Sequence, residues 1–196
     1  ADLWSSPYLQ ALKWAEVNPE SPRAQHHLAG FWWDVGNLDQ AERLNARAIA
    51  LDPEGLPWLM TRVMYQCARD DQPGEALADV EAILTAKGGA GRVGVHQTGK
   101  LLDYLMSGKC GRLSEPDALL GWMARLMEAG RGAGRLGQLL MQRRSMVLLD
   151  QGRPEAAYRE LRDLVRASGR PGVQLRGAAS LASGGQHRWA LELLDE

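Results

Sequence analysis

Two proline dipeptides, Asn18-Pro19 and Asp52-Pro53, stand 34 residues apart in the sequence. Proline fixes φ and lacks a backbone donor, so each dipeptide predicts a helix end. Between them, small and apolar residues recur at offsets that suit two helices packed on each other across a turn: Leu28, Ala29, Trp32, Gly36, Ala41 and Ala48. A period of this length is typical of helical-repeat scaffolds, which favours binding over chemistry.

Helix-forming residues are abundant and β-branched residues are scarce, so the whole chain is predicted to be helical. Caps and breakers set the expected bounds, among them Ser21 before Pro22 and the acidic turn after Ser114. We predict an all-α fold, a right-handed superhelix of antiparallel helical hairpins with about ten or eleven helices. The expected helices are 7–17, 22–35, 38–51, 56–69, 73–85, 93–106, 115–129, 135–150, 154–167, 171–183 and 187–194.

A single helical-repeat domain is expected over 1–196. It would contain N-terminal hairpins over 1–87, an irregular middle over 88–135 and C-terminal hairpins over 136–196. The repeat returns near the end, where Gly152 and Ala157 are echoed by Gly185 and Ala190, 33 residues later. Glycine-rich stretches at 87–91 and 130–134 predict breaks in the stack. They lack the glycine and lysine-serine spacing of a phosphate loop.

Charge and hydropathy narrow the function classes. A net charge of -1 and a pI near 6.5 provide no strong basic field for general nucleic-acid binding. No apolar run has the roughly 18 residues needed to span a bilayer, and the first residues do not form a secretion signal. We therefore expect a soluble chain, which could be one part of a larger protein.

Cys67 and Cys110 are the two cysteines, and their spacing matches no zinc or redox motif. The residues alone leave two alternatives, buried free thiols in helical packing or a disulfide that closes the 42 residues between them. His26 and His27 are adjacent on one helix and therefore point in different directions, with no suitably spaced carboxylate or cysteine to complete a metal site. No metal, other cofactor or catalytic constellation is predicted, so this chain alone is not expected to be an enzyme.

The stretch from Trp32 to Pro53, with Gly36, Ala41 and Ala48, resembles the tetratricopeptide repeat (TPR) for about one repeat. The N-terminal residues resemble the segment that follows the last membrane span in bacterial polytopic, glycosyltransferase-like membrane proteins with TPR tails; these residues are Leu3-Trp4, Trp14, Asn18-Pro19, Ser21, Arg23-Ala24 and Leu28-Ala29.

That resemblance implies a periplasmic tail, attached to the inner membrane only through a preceding region. It also favours a disulfide between Cys67 and Cys110, because cysteines recur at these places in the family. The family's sugar-transfer chemistry would reside in the membrane portion, so no catalytic residue carries over.

In a TPR-like fold the first helix of each hairpin lines the concave groove, where a protein or peptide partner is expected. Trp33 is a candidate aromatic contact because Trp32 already occupies the packing position; the alternative is that Trp33 packs on the helix containing Trp14. Met146 could contact an apolar partner or pack between helices. The groove candidates are Arg23, His26, His27, Trp33, Asp34, Gln142, Arg143 and Met146.

Three functions remain open from the sequence. The first is a protein-interaction module in a periplasmic tail. The second is a free-standing cytoplasmic scaffold, which would favour reduced cysteines. The third is an accessory carbohydrate-binding domain, suggested by Trp33 and the family context.

Overall fold

The structure is a computed structural model that describes residues 6–70, 73–86, 92–129 and 134–196. Within these ranges the chain forms eleven α-helices and one short 3₁₀ helix, with no strand. The predicted all-α helical-repeat fold is confirmed, and the expected helix bounds agree to about one residue. The predicted glycine break at 87–91 and residues 130–133 of the second break lie outside the described ranges.

The chain divides into two compact units, Ala1–Ile83 and Leu84–Glu196, and the division falls inside a helix. The first unit contains α1 (Pro7–Val17), α2 (Pro22–Asp34), α3 (Leu38–Leu51), α4 (Leu56–Asp70) and most of α5 (Gly74–Ala86). The second contains α6 (Arg92–Met106), the 3₁₀ helix (Gly111–Ser114), α7 (Pro116–Ala129), α8 (Arg135–Asp150), α9 (Pro154–Ser168), α10 (Pro171–Ser183) and α11 (His187–Leu194). The single domain expected from the sequence stays a prediction.

One type of turn joins α2 to α3, α8 to α9 and α10 to α11. Its glycine has a positive φ, 80° at Gly36, 68° at Gly152 and 76° at Gly185, a conformation that a side chain would disfavour. In each turn the residue after the glycine donates its N–H at 2.8 Å to a carbonyl five positions upstream: Asn37 to Trp32, Arg153 to Leu148 and Gln186 to Leu181. The repeat seen in the sequence is therefore a repeated helical hairpin.

Small residues let the helices of the first unit approach closely. Ala24 and Ala29 on α2, and Ala41 and Ala48 on α3, have no solvent exposure. The predicted cap at Ser21 is confirmed, because its Oγ accepts the N–H of Ala24 at 3.3 Å. The first hairpin thus has the small-residue seam that the sequence predicts.

The start of α4 is fixed against the end of α3. The indole N–H of Trp58 donates to the carbonyl of Asp52 at 2.6 Å. The ring lies so close to Gly55 that a Cβ at that position would overlap it. This contact sets the position from which α4 runs beside α3.

In the second unit, α8 to α11 share an apolar core. Its buried residues are Leu161, Leu164, Val165, Val173, Ala178, Leu181, Ala190 and Leu193.

Farther upstream, Ser114 is the last residue of the 3₁₀ helix, and its Oγ accepts the N–H of Cys110 at 3.0 Å. Ser114 was expected to cap the start of α7, but the hydrogen bond shown for its hydroxyl stabilises the turn before α7.

Candidate functional site

A groove of about 430 Å³ lies between α3 and α4 in the first unit. Successive turns of α3 and α4 face each other across it, so side chains spaced three or four residues apart share the same surface. Its walls combine aliphatic, amide and charged groups. The lining residues are Glu42, Asn45, Ala46, Ile49, Arg62, Tyr65, Gln66 and Arg69.

The cationic residues of this α3/α4 groove already have acidic partners. Arg69 pairs with Asp39 and also with Glu42, the latter at 2.7 Å, while Arg62 pairs with Asp79 at 3.4 Å. The hydrogen bond that the Arg69 guanidinium donates to the carboxylate of Asp39 is the main cause that raises the pKa of Arg69. Because these pairs are exposed, they can exchange partners at little cost when a ligand arrives.

One polar group of the α3/α4 groove lacks a partner. The buried Oε1 of Gln66 accepts no hydrogen bond from the part of the chain that the structure describes. A buried acceptor without a donor costs about 1–3 kcal/mol. A rotation of this amide toward the groove would let it accept a ligand N–H and would remove that cost.

Trp33 lies beside the α3/α4 groove and packs on Tyr65. The two rings stack with centroids 4.6 Å apart and planes 16° from parallel. This partner was not foreseen from the sequence, and a ligand contact through the other face of the Trp33 ring stays a prediction. The contact with Tyr65 joins α2 directly to α4.

Tyr65 is kept neutral by its surroundings. Burial is the largest cause that raises the pKa of its hydroxyl, and the carboxylates of Asp34 and Glu42 raise it further. Tyr65 thus presents a protonated phenol at the edge of the α3/α4 groove at any physiological pH.

His26 takes part in a contact between hairpins. Its Nδ1 lies 3.1 Å from Oδ1 of the buried Asn45, whose Nδ2 donates to the carbonyl of Trp58 at 2.9 Å. Because Asn45 already uses its NH₂ group as the donor, Nδ1 of His26 carries the proton in this arrangement. The ring also meets Trp58 edge to face, with centroids 5.9 Å apart.

His27 points toward α1. Its ring contacts Trp14 and Phe31 edge to face, with centroid distances of 5.7 Å and 5.3 Å. It lines a second depression, of about 410 Å³, together with side chains of α1 and Asn18. The two adjacent histidines therefore face different neighbours, as their spacing on one helix predicts.

The remaining candidates on α2, Arg23 and Asp34, are exposed. The carboxylate of Asp34 affects the α3/α4 groove indirectly, because its negative charge helps to raise the pKa of Tyr65. Neither residue lines that groove.

Two of the candidates in the second unit, Arg143 and Gln142, lie in contacts between helices. Arg143 pairs with Asp103 of α6 at 2.8 Å, and its Nη1 contacts the sulfur of Met146 at 3.5 Å. Gln142 lines a small cavity between α8, α9 and α10 with Leu161. The contact shown for Met146 is with a residue of its own helix, so both alternatives considered for Met146 stay open.

The charge of Arg144 suggests a solvent-exposed surface residue, but its side chain is partly buried and joins three helices. Its guanidinium donates to both carboxylate oxygens of Glu160, with a shortest distance of 2.7 Å, and to the carbonyl of Leu120 at 2.9 Å. One side chain thereby links α8 to α9 and α7. The spacing of 16 residues to Glu160 becomes informative only after the hairpin is known.

Both cysteines are buried, with 5% of Cys67 and 0% of Cys110 exposed. The part of the chain that the structure describes contains no free cysteine. The pairing of Cys67 with Cys110 stays a prediction.

The described residues form neither a metal-ion cluster nor a membrane-spanning helix. Among the described residues, no group of three or more His, Cys, Asp or Glu side chains is arranged to hold a metal ion. Within the same ranges, no helix has both the length and the apolar character needed to cross a bilayer.

None of the residues that line the α3/α4 groove was a candidate from the sequence, because the candidates in the first unit were all placed on α2. The 34-residue period also maps α2 onto α4, so that Phe31 corresponds to Tyr65 and Trp32 to Gln66. Extending the period would have indicated both positions. Glu42 of α3 also lines the groove, but its position there depends on how α3 packs on α4 and is not indicated by the period.

Comparisons with known proteins give limited information. No family model matches the chain, and neither does any curated protein. A solved structure similar to it is that of YrrB, described as a TPR protein with an unusual peptide-binding site. The two share 16% sequence identity with a TM-score of 0.43, over 94% of this chain and 89% of YrrB. At this level the similarity says nothing about what this chain binds.

Proposed function

We propose that this chain is a protein-interaction module that binds an extended peptide segment of a partner protein in the α3/α4 groove. The observation that carries the proposal is the composition of that groove, in which Ile49 and Ala46 lie among amide and charged side chains. Ligand sites commonly combine apolar contact area with a few polar groups that fix orientation.

The polar groups of the α3/α4 groove suit a peptide backbone. The amide of Gln66 can accept a backbone N–H once it rotates, and the neutral phenol of Tyr65 can donate to a carbonyl. The paired charges of Arg69 and Glu42 at the rim can each bind a side chain of opposite sign.

The groove is better suited to binding than to catalysis. Tyr65 has a raised pKa, which makes it a poorer base or nucleophile near neutral pH. His26 does not line the α3/α4 groove and hydrogen-bonds to Asn45, which does. An interaction module therefore accounts for these residues more directly than an enzyme does.

We place this module on the periplasmic side of a bacterial inner membrane, as part of a membrane protein. Two observations support this location: the N-terminal resemblance and the lack of a free thiol among the described residues. Disulfides persist in oxidising compartments and are rare in the cytosol. A cytoplasmic scaffold, in which reduced cysteines are expected, would not account for the absence of free thiols among the described residues.

This location is tested by fusing alkaline phosphatase after Glu196 in the natural full-length protein. The enzyme folds only after export, so strong activity is expected. An inactive fusion, together with a fluorescent green fluorescent protein fusion at the same position, would instead place the module in the cytoplasm.

The carbohydrate-binding alternative rests on Trp33. One face of its indole is stacked on Tyr65, so only the other face could contact a sugar ring. Trp33 and Tyr65 stack directly on each other, so they cannot hold a sugar ring between them. A peptide ligand is therefore the preferred proposal.

The binding proposal can be tested by selecting displayed random peptides on the full chain. The affinities of the enriched peptides are then measured for two variants, Ala46→Tyr and Ala50→Tyr. Both alanines are exposed on α3, but only Ala46 lines the α3/α4 groove. The first variant fills the groove, and the second is the matched control.

We expect Ala46→Tyr to weaken the selected peptides by at least about 10-fold, which corresponds to about 1.4 kcal/mol. Ala50→Tyr should bind them as the unsubstituted chain does. Failure to enrich any peptide, or equal affinity for both variants, would contradict the proposal.

A further inference from the structure

The outer face of α10 and α11 exposes several large apolar side chains. Leu175, Leu191 and Leu194 have exposed fractions of 61%, 65% and 41%. They border a depression of about 460 Å³ whose floor is made largely of alanines. We call this surface the outer α10/α11 face; its residues are Leu175, Ala178, Ala179, Ala182, His187, Ala190, Leu191 and Leu194.

The 33-residue repeat of the second unit relates the outer α10/α11 face to equivalent positions on the preceding hairpin, α8 and α9. Subtracting 33 from Leu175, Ala182, Leu191 and Leu194 gives the positions Gln142, Leu149, Tyr158 and Leu161 on α8 and α9. All four of these earlier residues lie against α10 or α11, as their individual contacts show.

Tyr158 stacks on Trp189 of α11, with ring centroids 5.7 Å apart. Leu149 lies 3.2 Å from the position that a Cβ at Gly184 would occupy. Leu161 lies 3.6 Å from the equivalent point at Gly177. The face of α8 and α9 is thus an interface that receives the next helical hairpin.

Gln142 lines the same interface, in a small cavity with Val173 and Gly177 of α10. Its counterpart on the outer α10/α11 face is a leucine, so that face is more apolar at this point than the one already covered. Arg188 and Glu192 of α11 do not line this face and pair with each other at 2.9 Å, so neither gives the face a charge of one sign. A mainly apolar helix surface is the complement of this arrangement.

We propose that the outer α10/α11 face binds an amphipathic helix of a partner protein, seated as α10 is seated on α8 and α9. Repeat units bury their apolar faces against a neighbour, and here the established α8/α9 interface continues onto the next hairpin. The partner helix carries a small residue opposite Leu194, as Gly177 of α10 lies opposite Leu161. This surface is separate in the sequence and in its chemistry from the α3/α4 groove.

The probe is a fluorescent peptide with the α10 sequence, residues 171–183, because α10 is the helix that the earlier face accepts. An isolated helix of this length is marginal in water, so a hydrocarbon staple joins positions 175 and 179. These positions lie on the outer α10/α11 face, away from the side of α10 that contacts α9. The staple also removes Leu175 from the peptide and limits its self-association.

The peptide is titrated with the full chain and followed by fluorescence anisotropy. The test variant is Leu175→Gln/Leu191→Gln, and the matched control is Arg188→Gln on α11. Arg188 has an 89% exposed side chain and does not line the outer α10/α11 face. Thermal unfolding followed by circular dichroism should be unchanged in both variants, since the substituted residues are exposed.

We expect saturable binding to the unsubstituted chain and to Arg188→Gln, and binding at least about 10-fold weaker for the double variant. No binding at about 1 mM chain would overturn the proposal. Equal binding to the double variant would also overturn it, because the peptide would then occupy another surface, such as that of α8 and α9.

Self-association is measured separately by sedimentation velocity without peptide. A monomer is expected. A dimer that the double leucine substitution dissociates would assign the outer α10/α11 face to a second copy of the chain, contrary to the proposal.

Discussion

Trp33 of α2 and Tyr65 of α4 stack with ring centroids 4.6 Å apart and an angle of 16° between their planes. The contact links one hairpin to the helix that begins the next and forms one edge of the α3/α4 groove. It therefore couples the stability of the first unit to the shape of the proposed binding site.

A double-mutant cycle with Trp33→Leu and Tyr65→Leu measures this contact. We expect a coupling free energy of about 0.5–1.5 kcal/mol, because an aromatic pair contributes beyond the area that it buries. Urea unfolding of the four proteins provides the values. Strictly additive effects of the two substitutions would show that the rings do not stabilise each other.

The pH dependence of stability provides a second test at Tyr65. Its raised pKa means that the folded state keeps the phenol protonated while the unfolded state ionises near its ordinary value of about 10. The resulting stabilisation is complete below pH about 10 and is lost as the pH rises above that value.

We therefore expect Tyr65→Phe to lose less free energy of unfolding than the unsubstituted chain between pH 9 and about 11. The comparison between the two proteins cancels the contributions of other alkaline groups. Equal losses would contradict the raised pKa, as would a Tyr65 signal that titrates normally in ¹³C NMR.

Two glycines in the first unit should respond oppositely to alanine. A Cβ at Gly55 would overlap the Trp58 ring, so Gly55→Ala should destabilise by about 1–3 kcal/mol. Gly30 lies inside α2 with no atom within 4 Å of its missing Cβ. Gly30→Ala should stabilise by about 0.5–1 kcal/mol. Urea unfolding decides the signs, and a tolerated Gly55→Ala would argue against the Trp58 position described here.

The cysteine pairing is tested by intact mass after alkylation with and without reductant. We expect Cys67 and Cys110 to react only after reduction and unfolding. In the chain-entropy view, a bridge that closes a loop of this size contributes roughly 4 kcal/mol. The Cys67→Ser/Cys110→Ser variant should therefore unfold at lower urea, and alkylation of two thiols in unreduced, folded protein would show that no bridge forms.

The sequence predicted the helices well because local signals define them. Ser21 caps α2 through its own hydroxyl, and Gly36 adopts the positive φ that a turn between helices needs. Such features depend on neighbours only a few residues away. The 34-residue period then indicated that consecutive helices form hairpins.

The candidate site was harder to predict because it depends on side chains from different helices. Trp33 was identified as a residue of interest, but its partner Tyr65 is 32 positions away and became apparent only from the packing of α2 on α4. Arg144 likewise resembles any surface arginine until its contact with Glu160 is seen. Periodicity places residues on a helix face, whereas packing decides which faces meet.

The most direct test of the proposed function uses the two isoleucines of the chain, Ile49 and Ile83. Ile49 lines the α3/α4 groove, while Ile83 lies on α5 and does not line it. Labelling isoleucine δ1 methyl groups with ¹³C therefore gives one reporter signal and one internal reference. When a selected peptide is added to saturation, we predict that the Ile49 signal shifts and the Ile83 signal stays in place; a bound peptide that leaves Ile49 unmoved would contradict binding in this groove.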